Sequence, residues 1–484
     1  MMAFATPAGG ERKLSDYYAH FGVDEKIIRD VMAVALEKGG DYCDIFFQHR
    51  INNWIGLEDK AVNKAYCDVD YGVGIRVIEG EQTGYSFTED ITPKAMKLAA
   101  KTASNIASQN KNTPPAELKF HDTPNYYHIE TTWEEISIDQ KIPYLQRIND
   151  KVFNLDNRII KSRIWFRDES SYVLIATSEG RIACDYRPMT SISVTCVAEQ
   201  DGKREQSSFA YGPRAGIEYF TPERVENLAT ETVRRTVSLF DAVKPEAGEM
   251  EVVLAAGNSG ILLHEAIGHG MEADFNRKGI SIFADKINKP VAESFVSIVD
   301  DATNPNYRGS LNVDDEANDT EKTYLVKDGI LKSYLHDRIS AKHYNVKPTG
   351  NGRRQTFRYP PIPRMRNTYM LPGPHTKEEI IKSVKKGIYT ETFTNGEVAI
   401  GAGDFTFYVQ TGRMIENGEL TRPIKDVNII GNGPDVLSKI VMVGNDMKIY
   451  EGGGYCGKDG QRCLVSDGLP TCKVSSITVG GVSS

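Results

Sequence analysis

The sequence lacks several features that would assign it to a specialised class of protein. It has no run of 18 apolar residues, so no membrane-spanning helix is expected. Its seven cysteines are few for 484 residues, odd in number and without a C-x-x-C pair, which argues against a disulfide framework and against a closed structural zinc site. Residues 1–10 do not read as a signal peptide. We therefore expect a protein of a reducing, cytoplasmic compartment.

The chain also has fewer basic than acidic residues. Lys and Arg number 58 against 66 Asp and Glu, which gives a net charge of −8 at pH 7. This balance argues against a general nucleic-acid binder, so neither nucleic acid nor membrane is an expected partner. With 40% hydrophobic residues, the chain can form a large core without disulfides, and its length fits two or three domains.

The most informative motif is the segment HEAIGH, His264–His269, which follows a predicted strand at 251–256. Two imidazoles and a carboxylate this close are typical of zinc sites in which the carboxylate takes a proton from metal-bound water. The histidines lie five residues apart, and in a regular α-helix the second would point about 140° away from the first. A π-bulge, for which Gly268 is a plausible place, would bring both to one side. The alternative is two helix histidines with no shared ligand.

Catalytic zinc usually has three protein ligands and one open position, so a third ligand is needed. Cys456 is the best candidate, because it lies in the glycine-rich segment 451–461, where the backbone can approach a metal closely. A thiolate is a strong zinc ligand. Taken alone, however, one cysteine is more typical of an ordinary buried thiol.

Four further residues are candidates for supporting roles. Arg353 and Arg354 are candidates to clamp a substrate carboxylate or polarise a scissile carbonyl, and the alternative is ion pairing at a domain contact. Tyr369 is a candidate donor to substrate or to a developing oxyanion. Glu272 follows His269 by three residues, where a carboxylate would orient the imidazole; the alternative is an exposed helix carboxylate.

The order of predicted elements indicates an α+β chain of two domains. Residues 12–243 are predicted to form an N-terminal, sandwich-like α/β domain, with a possible subdivision at the loop 112–115. Residues 249–484 are predicted to form a β-rich C-terminal domain that carries the metal-binding helix. In the first domain, helices are predicted at 24–38, 92–106 and 221–240, and β-rich stretches at 43–48, 73–87 and 150–212.

Taken together, these motifs resemble the TldD branch of the TldD/PmbA family of metalloproteases. The resemblance covers most of the chain and is carried, besides HEAIGH, by residues 41–47, 72–76, 270–278, 308–316, 350–354, 363–373, 429–434, 442–446 and 456–461. The chain departs from the family pattern at Cys463 and Cys472, where apolar residues are expected, so three late cysteines are available as ligands.

The resemblance implies a zinc ion held by His264, His269 and Cys456, with Glu265 as the general base. It also implies hydrolysis of short or unfolded peptides. The implied partner is a second subunit, either another copy of this chain or a metal-free sister of the PmbA/TldE kind.

The sequence therefore predicts a zinc-dependent peptidase that cleaves peptides by metal-activated water. The alternative is a non-catalytic subunit or peptide-binding partner with a structural metal. A third possibility is a non-haem metal oxidoreductase with two histidines and a carboxylate, against which the thiolate and Glu265 both count.

Overall fold

The computed structural model describes residues 13–108 and 114–481, which form a mixed α and β structure. Residues 1–10, which are predicted not to be a signal peptide, lie outside the described residues. The predicted loop at 112–115 lies partly outside them. The α-helices are α1 Leu14–Phe21, α2 Glu25–Ala35, α3 Pro93–Ala103, α4 Ile138–Leu155, α5 Pro222–Ser238, α6 Ile261–Leu263, α7 Ala273–Arg277, α8 Arg338–Tyr344, α9 Lys377–Lys382 and α10 Gly433–Ser438.

The strands fall into an N-terminal group and a C-terminal group. The N-terminal strands are β1 Tyr42–Glu58, β2 Ala61–Glu79, β3 Gln82–Thr88, β4 Lys119–Phe120, β5 Ile159–Thr177, β6 Arg181–Gln200 and β7 Lys203–Tyr211. The C-terminal strands are β8 Gly248–Leu254, β9 Ile298–Asp301, β10 Lys322–Lys327, β11 Ile330–Leu331, β12 Gly352–Arg353, β13 Ile362–Pro363, β14 Asn367–Met370, β15 Lys386–Ala399, β16 Asp404–Glu416, β17 Glu419–Ile424, β18 Val427–Asn432, β19 Ile440–Val443, β20 Lys448–Ile449, β21 Gly454–Lys458, β22 Gln461–Leu469 and β23 Cys472–Gly481.

The N-terminal strands form one sheet in the order β3-β2-β1-β5-β6-β4, with β7 paired to β6. Because side chains alternate along a strand, Ile45 and Phe47 face helices α2 and α3, while Phe46 faces Phe357 of the C-terminal half. Helices α4 and α5 pack farther along the same strands, over Ile55. The sheet therefore lies between a layer of helices and the C-terminal half.

Helix α4 was not predicted from the sequence. It begins with a capping box at Ser137 and contains Pro143, six residues into the helix. Proline removes an amide donor and usually ends a helix, so a proline in the middle of this segment argues against a helix when only the sequence is considered. Burial of Leu145, Ile148 and Val152 against the sheet outweighs that cost. As a result, the predicted β-rich stretch begins at Ile159, not at 150.

The C-terminal half contains two larger sheets. One closes on itself, because β15 pairs with β8 and also with β16, and the series β8-β23-β18-β16 completes the ring. The other has the order β11-β10-β9-β14-β22-β20, with β21 paired to β22. The largest apolar core joins both sheets and includes Leu263, Ile267 and Met365.

The sequence-based expectations for the fold hold in their main lines. The predicted starts of three helices hold, since Asp24, Thr92 and Thr221, the first residues of the predicted ranges, cap α2, α3 and α5. The α+β class with a β-rich C-terminal region is confirmed. The domain division between 243 and 249 stays a prediction. Within the described residues, no helix has the length and apolar character needed to cross a membrane.

Candidate metal centre

A short helix with an unusual turn carries the two motif histidines. Strand β8 leads through a 3-10 turn, Asn258–Gly260, into α6, which continues as a π-helix at His264–Gly268. The wider turn of a π-helix brings residues five apart to one side. The rings of His264 and His269 accordingly lie 5.1 Å apart, nearly perpendicular at 87°. The π-helix predicted from the five-residue spacing is confirmed.

Gly268 has a different role from the one the sequence suggested. Its backbone is ordinary right-handed helix, with φ −59° and ψ −49°, a conformation open to any residue. A Cβ at this position would lie 2.1 Å from the Sδ atom of buried Met365. The glycine is therefore needed for close packing and not for backbone freedom.

Cys456 reaches the histidines from a β-hairpin. Strands β21 and β22 are joined by Asp459 and Gly460, which both have positive φ, at 48° and 70°. Two such residues form the tight turn that matches the twist of a hairpin. The Sγ atom of Cys456 lies 3.4 Å from Nε2 of His269. One ligand atom from each of His264, His269 and Cys456 lies within 4.8 Å of the other two.

The other two late cysteines are placed differently. Cys463 pairs with Cys456 across the hairpin, and Cys472 begins β23. Burial raises the pKa of the Cys463 thiol, and it raises the pKa of Cys472 to about 12. Among the described residues, the cluster of possible metal ligands contains neither of them.

The chemistry of this donor set fits zinc. Burial alone raises the pKa of the Cys456 thiol, but the charges of His264 and His269 outweigh it and hold the pKa well below its usual range. The thiol is thus disposed to ionise beside two imidazoles, although it is only 1% exposed. Two ring nitrogens and a thiolate are donors that zinc prefers, and three protein ligands leave a fourth position open.

Glu265 lies beside the cluster and borders open space. Its Oε2 atom is 3.8 Å from Nε2 of His269, and its side chain is 21% exposed. It lines a cavity of about 350 Å³ together with His264. The remaining wall comes from β6, β7, β15, β16, β22, the start of α6 with the segment before it, and the segment around β21. A carboxylate at this place borders both the ligand cluster and a space large enough for part of a peptide.

A buried group of charged side chains contacts His269 on the side of its ring that faces away from the ligand cluster. Glu272 accepts a hydrogen bond from His269 Nδ1 at 2.9 Å, which leaves Nε2 directed at the cluster. Lys458 Nζ lies 3.2 Å from the same carboxylate and 2.6 Å from Asp274. Burial raises the pKa of Glu272, but Lys458 and His269 outweigh it and lower the pKa to about 2. Glu272 is fully buried, so the alternative of an exposed helix carboxylate is wrong.

Asp467 is a cavity residue that sequence reasoning missed. It lies on β22, is 7% exposed and lines the cavity beside Glu265. Burial raises the pKa of its carboxyl group to about 7. The available signal was an acidic residue within the apolar stretch 463–469, because a charge inside a buried strand needs a reason.

The three predicted substrate-binding residues lie away from this cavity. Arg353 donates to the backbone carbonyls of Met365 and Leu464, and Arg354 pairs with Asp44 at 3.2 Å. Tyr369 donates to Asp301 at 3.0 Å and is buried. Among the described residues that line the cavity beside Glu265, none of the three appears. Arg353 and Arg354 line a separate cavity instead.

Three family models match successive parts of the chain. The PmbA/TldA metallopeptidase domain 1 matches residues 43–107, the central domain matches 131–240 and the C-terminal domain matches 247–481. The last of these matches contains the whole ligand cluster.

Relatives named as metalloproteases agree with the family models. A metalloprotease TldD homolog from Buchnera aphidicola is 38% identical over 91% of this chain and 93% of its own length. A TldD homolog from Haemophilus influenzae is 38% identical over 92% of this chain and 93% of its own length. A zinc metalloprotease TldD homolog from Saccharolobus solfataricus is 30% identical over 92% of this chain and 98% of its own length.

Solved structures share the fold at lower identity. A Thermotoga maritima protein proposed to be a modulator of DNA gyrase superposes with a TM-score of 0.76 at 21% identity, over 94% of this chain and all of its own. TldE from Thermococcus kodakarensis superposes with a TM-score of 0.74 at 17% identity, over 94% of this chain and 99% of its own.

Proposed function

Because the chain belongs to the TldD branch of the PmbA/TldD metallopeptidase family, we propose that it is a zinc-dependent peptidase acting on short or unfolded peptides. The observation that carries the proposal is the convergence of His264, His269 and Cys456, with Glu265 at the edge of the adjoining cavity. A relative that is named a zinc metalloprotease supports the choice of metal.

In this proposal, His264, His269 and Cys456 hold the zinc ion and Glu272 orients His269. When bound, zinc lowers the pKa of water and polarises a carbonyl group. Glu265 accepts a proton on its carboxylate as water attacks the peptide carbonyl, and it then returns the proton to the leaving amine. Its partial exposure suits this role, because a proton carrier must reach both water and substrate.

The strands in the wall of the cavity support an extended substrate. The wall includes residues from β7, β15, β16 and the segment before Cys456. Strands that border a groove can bind a peptide as an additional strand, with the backbone supplying affinity. Such binding requires an unfolded chain, which agrees with short or unfolded peptides as substrates.

We also propose a second subunit, either another copy of this chain or a metal-free sister of the PmbA/TldE kind. The match to PmbA/TldA domain models and the shared fold with a TldE structure support a partner of this type. A cytoplasmic location stays a prediction from the cysteine content.

The test is Glu265→Gln, which keeps the shape of the side chain but removes its basicity. We expect zinc content to stay at the wild-type level, because Glu265 is not among the proposed ligands. Cleavage of an unstructured peptide should fall by at least about 100-fold, since general-base catalysis contributes about that much. Zinc is measured by metal analysis and cleavage by chromatography.

The matched control is Glu246→Gln, an exposed carboxylate paired with Lys386, which should change neither readout. Full cleavage by Glu265→Gln would remove the assigned base. Bound zinc without cleavage by the wild type, even with a sister subunit added, would favour the alternative of a non-catalytic, peptide-binding subunit with a structural metal.

A further inference from the structure

A second cavity, which we call the arginine cavity, lies between the N-terminal sheet and the C-terminal half. It has a volume of about 80 Å³. Alternation along β1 and β5 places Arg50 and Arg167 on the sheet face that meets the C-terminal half. Its basic lining residues are Arg50, Arg167, Arg187, Arg214, Arg353, Arg354 and Arg462, and its acidic lining residues are Glu169 and Asp315.

Four of the seven arginines that line this cavity pair with a carboxylate: Arg50, Arg167, Arg187 and Arg354. Arg167 pairs with Glu169, and Arg187 pairs with Asp315, each at 2.6 Å. Within the part of the chain that the structure describes, Arg214 has no carboxylate within 4.0 Å. Its side chain makes one hydrogen bond, to a backbone carbonyl, and its buried Nε has no partner.

Arg353, like Arg214, is buried without a carboxylate partner among residues 13–108 and 114–481. Its guanidinium donates to two backbone carbonyls, and no carboxylate of the described residues lies within 4.0 Å. Arg214 is 3% exposed and Arg353 is 5% exposed. Burial lowers the pKa of both groups, that of Arg214 to about 10, although arginine normally keeps its charge at any physiological pH.

Two buried cations without a counter-charge are costly. A buried charge is normally paired, and removing one partner of a buried pair is strongly destabilising. Here the fold retains both guanidinium groups at the wall of one cavity, with no carboxylate of the described residues within 4.0 Å of either; the closest aromatic support is the ring of Tyr127, 5.0 Å from the guanidinium of Arg214. A planar guanidinium is also the group best shaped to bind carboxylate or phosphate oxygens in pairs.

We propose that the arginine cavity binds a small oxyanion between Arg214 and Arg353. Its volume matches two to three water molecules at about 30 Å³ each, which is the size of a carboxylate or phosphate group. Arg50, Arg167, Arg187 and Arg354 already pair with carboxylates and Arg462 is exposed, so the bound anion supplies the counter-charge for Arg214 and Arg353.

The structure also relates this cavity to the metal centre. Tyr455, the residue before Cys456, lines both the arginine cavity and the cavity beside Glu265. Arg167 donates to its hydroxyl, and the guanidinium of Arg308 lies 4.7 Å from its ring centre. The oxyanion therefore has two possible sources: the C-terminal carboxylate of a peptide substrate, which rests on the proposed peptidase function, or a free oxyanion such as phosphate.

The first experiment measures binding of inorganic phosphate to the zinc-loaded protein by thermal unfolding at constant ionic strength. We expect the wild-type Tm to rise by at least about 2 °C with saturating phosphate, because a ligand of the folded state stabilises it. Arg214→Met should lose this rise. It should also unfold no earlier than the wild type in phosphate-free buffer, since it removes an unpaired buried charge.

Arg353→Met should also lose the rise in Tm with phosphate. This second variant tests the proposal if Arg214→Met does not fold. Exposed Arg204, which pairs with Glu199, provides the control Arg204→Met, and this variant should keep the full phosphate response. Phosphate bound at zinc would stabilise Arg214→Met as well, because its metal ligands are intact. No phosphate response in the wild type, or an unchanged response in both Met variants, would overturn the proposal.

The second experiment identifies the source of the anion. It compares a short peptide that ends in a free carboxylate with the same peptide ending in an amide. A KM about tenfold lower for the free acid in the wild type, lost in Arg214→Met, assigns the site to the substrate C-terminus. Equal KM values together with the phosphate response assign it to a free oxyanion. If neither peptide is cleaved, the peptidase proposal fails while the phosphate result still decides the anion site.

Discussion

At the scale of single residues, Cys456 differs from the cysteines around it by its neighbours. Two imidazoles hold the pKa of its thiol well below its usual range, despite burial, which acts in the other direction. Burial leaves Cys463, directly across the hairpin, with a raised pKa. A thiol that ionises readily is the one suited to bind a metal.

We therefore predict that Cys456→Ser weakens zinc binding by at least about 100-fold, because it removes a proposed ligand where even loss of a supporting partner costs 10–100-fold. Zinc affinity is measured by competition with a chelating dye. Cys463→Ser is the matched control, since it makes the same change on the opposite strand, and it should keep near-native affinity. Equal losses in both variants would contradict the assignment of the sulfur ligand.

A second residue-scale prediction concerns His336 and acid. Burial lowers the pKa of this imidazole to about 4, whereas an unfolded histidine has a pKa of about 6.5. Between these values the folded state binds fewer protons than the unfolded state, so stability must fall as the pH drops from about 6.5 to 4. The contribution is up to about 3 kcal/mol.

The measurement is urea unfolding across that pH range. His336→Gln, which does not titrate, should show a flatter decline of the unfolding free energy than the wild type. Exposed His128 offers the control His128→Gln, which should follow the wild-type curve. An identical slope for His336→Gln and the wild type would show that this histidine does not contribute to acid sensitivity.

At the scale of elements, the π-helix at His264–Gly268 is the feature on which the site depends. It converts a five-residue spacing into two imidazoles on one side, where a regular α-helix would separate them. Its last residue, Gly268, packs directly under Met365. The element is therefore positioned by a close contact with the segment before β14.

Gly268→Ala should consequently destabilise the protein by about 1–3 kcal/mol, as expected for overpacking, although alanine is otherwise the better helix former. Met365→Ala should be less harmful in the Gly268→Ala background than alone, because the added methyl group fills part of the space that is left. Unfolding free energies of the two single variants and the double variant measure this coupling. Gly457→Ala, where an added Cβ meets nothing within 4 Å, is the control. Additive effects would contradict the packing role.

At the scale of the whole molecule, the site unites distant parts of the C-terminal half. The histidines follow β8 of the closed sheet, while Cys456 belongs to a hairpin on the other large sheet. The N-terminal sheet also contributes, since Ser193 and Phe209 lie in the wall of the cavity beside Glu265. A zinc ion at this place would link the two sheets.

Removal of the metal by a chelator should therefore lower the Tm of the wild type by several degrees, since a ligand that binds only the folded state stabilises it by about 2.7 kcal/mol at 100 times its Kd. Differential scanning calorimetry provides the measurement. Cys456→Ser, already deprived of zinc, should show no further change with chelator. A chelator effect of equal size in that variant would place the stabilising metal elsewhere.

Local features of this protein were readable from the sequence because they depend on neighbouring residues. The helices that Asp24, Thr92 and Thr221 cap were predicted from local helical spacing, and the five-residue spacing within HEAIGH indicated a π-bulge if both histidines bind one ion, because a regular α-helix would point them apart. Helix α4 was not predicted because its stability depends on burial against the sheet, which offsets the free-energy cost of Pro143. Burial depends on distant residues and cannot be seen in the local sequence.

Only the tertiary structure decided which distant groups meet. It placed Cys456, and not Cys463 or Cys472, beside the histidines, and it placed Asp467 in the wall of the same cavity. It also directed Arg353 and Arg354 to a different cavity. The physical reason is that strand register and sheet packing set the direction of every side chain, and a shift of one residue in a strand reverses the face on which a side chain lies.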